Sequence, residues 1–81
     1  MPVTYYVALP FIRTEEGIAA GQGQECPTEM SAITKAASMS RDAANAGALA
    51  FKRAGDLDMG RYSDPTILRT FGEIPKNLDE L

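Results

Sequence analysis

The chain has 81 residues, 44% of them hydrophobic, 7% aromatic and 23% charged, with 8 Lys and Arg against 11 Asp and Glu and a net charge of −3. That acidic balance argues against a general binder of nucleic acid or anionic membranes, because both rely on basic side chains to neutralise phosphates. The absence of histidine removes the commonest general base, the Ser-His-Asp and Cys-His arrangements, and most zinc sites.

In chain order, Val3 to Arg13 is the clearest strand, rich in β-branched and aromatic residues. Val3, Tyr5, Val7, Leu9 and Phe11 share one face, and Thr4, Tyr6, Ala8, Pro10 and Ile12 the other. The first face is the more apolar and is expected to meet a helix. Pro10 cannot donate to a ladder, so an edge strand or a bulge is expected there. Thr14 to Gln24, punctuated by Gly17, Gly21 and Gly23, reads as a loop.

Pro27 to Ala46 reads as a helix, with Pro27 at its first position, Glu29 in the first turn and Gly47 after its end. Met30, Ile33, Ala37 and Ala44 follow helical spacing, widened by Ala36 and Ala43 into an Ala-rich stripe suited to close approach. Ala48 to Arg53 is a second strand and Thr66 to Phe71 a third. Gly55 to Gly60 forms the turn after the second, and Asp64-Pro65 makes a further break. Residues 1–75 are expected to form a single domain, and 76–81 a polar, frayed tail.

The fold class expected is α+β, of βαββ type, with a three-stranded sheet and one helix packed on one face. A β–α–β crossover would be right-handed if its strands are parallel. The third strand is placed between the first two, as in a split βαβ arrangement.

No constellation of catalytic residues, cofactor-binding residues or metal ligands emerges. Cys26, the sole cysteine, stands near the helix start, where a thiol can be activated, but no basic residue adjoins it and the ordinary reading is preferred. Asp56-x-Asp58-x-Gly60 begins like a calcium loop, yet its twelfth position is Ile67 rather than Glu. The three glycines match neither phosphate-loop spacing. One cysteine excludes an intrachain disulfide, no signal peptide is recognisable at the N-terminus, and no apolar run reaches membrane-span length, so a cytoplasmic protein is expected.

Tyr5-Tyr6-Val7-Ala8-Leu9-Pro10-Phe11, Ala48-Leu49-Ala50-Phe51-Lys52-Arg53-Ala54-Gly55-Asp56 and Thr70-Phe71-Gly72-Glu73-Ile74-Pro75 follow one another along the chain. In this the chain resembles a group of small bacterial conserved hypothetical proteins. The resemblance spans nearly the whole chain and implies a bacterial, stand-alone protein. The group has no assigned activity, so the resemblance carries no functional residue over.

Two functions are expected from different classes. The first is a non-enzymatic protein-interaction or regulatory module that self-associates as a homodimer or takes a protein partner, using Tyr6, Ile12 and Leu68 on the sheet face left bare by the helix. The second is a small binder of nucleic acid or an anionic ligand through Arg53, Arg61 and Arg69, with Arg53 and Arg69 in one stripe beside Phe51 and Phe71. The acidic balance makes nucleic acid the lesser choice.

Overall fold

The computed structural model describes residues 2–56 and 60–75. Strand β1 runs over Pro2–Thr14 and turns through Glu15-Glu16 into β2, Gly17–Ala20. Gly17, at φ 131, supplies the backbone conformation that the two-residue turn demands. The Thr14 hydroxyl donates to the Gly17 carbonyl at 3.0 Å. A short β3, Gln24–Cys26, continues beside β1. Helix α1 spans Glu29–Arg41. Strands β4 (Gly47–Asp56), β5 (Arg61–Tyr62) and β6 (Thr66–Gly72) follow.

All pairings are antiparallel. Strands β1 and β4 form the centre of the sheet, paired from Pro2↔Asp56 to Phe11↔Gly47. On the outer side of β1 lie β3, opposite Tyr6 to Ala8, and β2, opposite Phe11 to Thr14. On the outer side of β4 lie β5 and β6. The class remains α+β, but the three-stranded sheet expected from the sequence is corrected to one of six strand segments. Among the described residues there is no parallel crossover: β1 and β4 pair directly, and the strand expected between them, β6, lies beyond β4. The segment read as a loop, Thr14 to Gln24, instead carries β2 and the start of β3.

Pro10 pairs with Ala48 of β4 on one side, but on the other it meets a local edge of the sheet. It stands between the registers of β2 and β3, where no flanking strand requires its missing N–H, and its carbonyl accepts from the Gly21 N–H at 2.8 Å.

The helix is shorter than the spacing predicted. Thr28 is its N-cap, in a capping box with Ser31: the Ser31 N–H donates to Thr28 Oγ1 and the Thr28 N–H to Ser31 Oγ, both at 3.0 Å. It stops at Arg41 because short polar side chains compete for its last turn. Asp42 Oδ1 accepts from the Ala44 N–H at 3.0 Å, and Asn45 Nδ2 donates to the Met39 carbonyl at 2.9 Å. Gly47 therefore begins a strand rather than capping the helix.

Helix α1 covers the face opposite to the one expected. Its buried Ala32 and Ala36 pack with Ala8, Ala48, Ala50 and Cys26, flanked by Tyr6, Ile33, Met39, Leu68 and Phe71. The reason is volume. An Ala-striped helix buries most surface by lying close to a sheet, and the alanine face of β1 and β4 permits that approach. Leu9, Phe11 and Leu49, on the other face, form a separate cluster with Ile18, Phe51 and Ile74.

Candidate functional site

The face away from α1 is divided along its length. At one end the chain covers itself: Leu9, Phe11 and Leu49 are buried beneath Ile18 of β2 and Ile74 beyond β6. An exposed ion pair, Arg13 to Glu73 at 2.9 Å, ties β1 to the same C-terminal segment. Close packing accompanies this closure at Gly47, where a Cβ would come within 2.3 Å of the Glu73 carbonyl oxygen.

The other end is more open among the described residues, although Arg53 Nε is buried there. Strand alternation brings Val3, Tyr5 and Val7 of β1 to this end, with Phe51 and Arg53 of β4 and Ile67 of β6. Val3 and Ile67 are 43% and 37% exposed, and Tyr5, Val7 and Phe51 are half-buried. Tyr5 pairs with Arg53 across the ladder, Val7 with Phe51, and Val7 on its other side with Glu25 of β3. These five residues line a shallow hollow of about 390 Å³. Its floor is aliphatic and aromatic, and its two formal charges, Glu25 and Arg53, stand on opposite sides of β1.

The residues expected to act are distributed differently. Tyr6 and Leu68 pack in the cluster beneath the helix and are no part of a bare face. Ile12 is exposed, but it belongs to the Tyr6 side of β1. Arg69 pairs with Ala50 and holds its guanidinium 5.8 Å from the Phe71 ring centroid, on the helix side. Arg53 lies beside Phe51 on the opposite face, so the single Arg stripe is corrected to two separate cations. The irregularity between Ala50 and Phe51, where β6 places Leu68 between two paired residues, sets this arrangement. The Arg61 side chain, Asp58 and the tail 76–81 lie outside the described residues.

Cys26 ends β3 two residues before the helix N-cap Thr28 and is buried, its thiol 3.6 Å from the Gln24 carbonyl oxygen. Among the described residues no group of three or more Cys, Asp or Glu side chains comes together as a metal site, and no helix is long and apolar enough to cross a membrane. The outer side of α1 carries a second depression, lined by Thr28, Met30, Ser31, Thr34, Lys35 and Ser38. Its hydroxyls and Lys35 suit solvent, with Met30 the lone large apolar group. Tyr5 and Val7 escaped the sequence reading because that face was assigned to the helix, and Glu25 because no strand was expected there; Phe51 was named only as a neighbour of the Arg stripe. The available signal was the match between two alanine-rich surfaces. Comparison with family models, with curated proteins and with solved structures gives no match.

Proposed function

We propose that this chain is a non-enzymatic interaction module whose working surface is the bare end of the sheet, around Tyr5, Val7, Phe51 and Ile67. The observation that supports this reading is the split face: the apolar stripe is buried among the chain's own segments at Leu9, Phe11 and Leu49, half-buried at Tyr5 and Val7, and exposed at Val3 and Ile67. A sheet face facing only water ordinarily alternates to polar residues, and a contiguous apolar patch marks an interaction surface. Tyr5 and Phe51 are anchors of the type enriched in interface centres. The separation of Arg53 from Arg69 by the thickness of the sheet disfavours the nucleic-acid alternative, which relies on a continuous basic track.

Photo-cross-linking tests the reading. A benzophenone amino acid placed at Tyr5 or Val7 should give an adduct of defined mass in cells that make the protein naturally. The same group at Ser38, on the exposed side of α1, should give none. Equal yields from both faces, or no adduct from the sheet face, would contradict it.

A further inference from the structure

We draw no further inference here: the strongest candidate, the depression on the outer side of α1 lined by Thr28, Met30, Ser31, Thr34, Lys35 and Ser38, is a polar helix face around one exposed methionine, and nothing in the structure shows what covers it.

Discussion

Ala8 and Ala50 are direct partners across the β1–β4 ladder, and both are 0% exposed beneath the helix. Their methyl groups are the floor on which Ala32 and Ala36 rest. A floor this flat has no space for a longer side chain. Ala50→Leu is expected to lower stability by about 1–3 kcal/mol through overpacking, whereas Ala54→Leu, exposed on the same strand, should stay within about 0.5 kcal/mol. Urea denaturation of the two variants checks this, and equal effects would contradict the close helix–sheet contact.

The helix start depends on a reciprocal pair of hydrogen bonds between Thr28 and Ser31. Thr28→Ala should cost about 1 kcal/mol, within the usual range for a lost cap. Thr28→Ser, which keeps the acceptor, should cost a few tenths. A midpoint unchanged by Thr28→Ala would show that the capping box contributes nothing to stability.

Two glycines separate conformational strain from crowding. Gly60 and Gly72 both have positive φ, at 63 and 68, but a Cβ at Gly60 would meet nothing within 4 Å while one at Gly72 would lie 2.7 Å from the Ala46 carbonyl oxygen. Gly60→Ala should therefore cost only the left-handed conformation, about 1 kcal/mol. Gly72→Ala should cost distinctly more, because backbone must also move. Thermal melts of the two variants give the comparison, and equal losses would contradict the close approach of β6 to Ala46.

Cys26 is buried. Its labelling by a disulfide reagent should be far slower than that of a peptide cysteine and should accelerate in urea to the peptide rate, following unfolding. Fast labelling of the folded protein would show an accessible thiol.

Much of the fold was legible because strong patterns have local causes. The alternation of β1 and β4 and the existence of β6 and α1 are each contained within one segment, whereas the expected alternation of β6 breaks at Leu68 and the expected helix stripe held at Ala36 but not at Met30, which is 70% exposed. The β2–β3 return was not legible. Its strands have four and three residues, its turn is Glu15-Glu16 rather than a glycine-asparagine type, and backbone pairing to β1 holds it more than any side-chain pattern does. The helix-facing side was misread for a different reason. Total apolarity selected Val3, Tyr5, Val7, Leu9 and Phe11, but packing density selected Ala8, Ala48 and Ala50. That single inversion moved Tyr6 and Leu68 from the surface into the core and brought Tyr5, Val7 and Phe51 to the candidate site. The division between Arg53 and Arg69 followed from the irregularity opposite Ala50 and Phe51, which no residue type announces.

The same inversion alters what a charge at each position should do. Leu68→Glu places a carboxylate in the cluster beneath the helix and is expected to destabilise the fold by about 2 kcal/mol or more. Val7→Glu places one at the centre of the bare face and should leave helix content and monomer stability nearly unchanged. The most direct measurement is photo-cross-linking from Val7 and from Ser38 in cells that make the protein naturally. The account predicts an adduct of defined mass from Val7 and none from Ser38. Equal yields from the two positions, or no adduct from Val7, would contradict it.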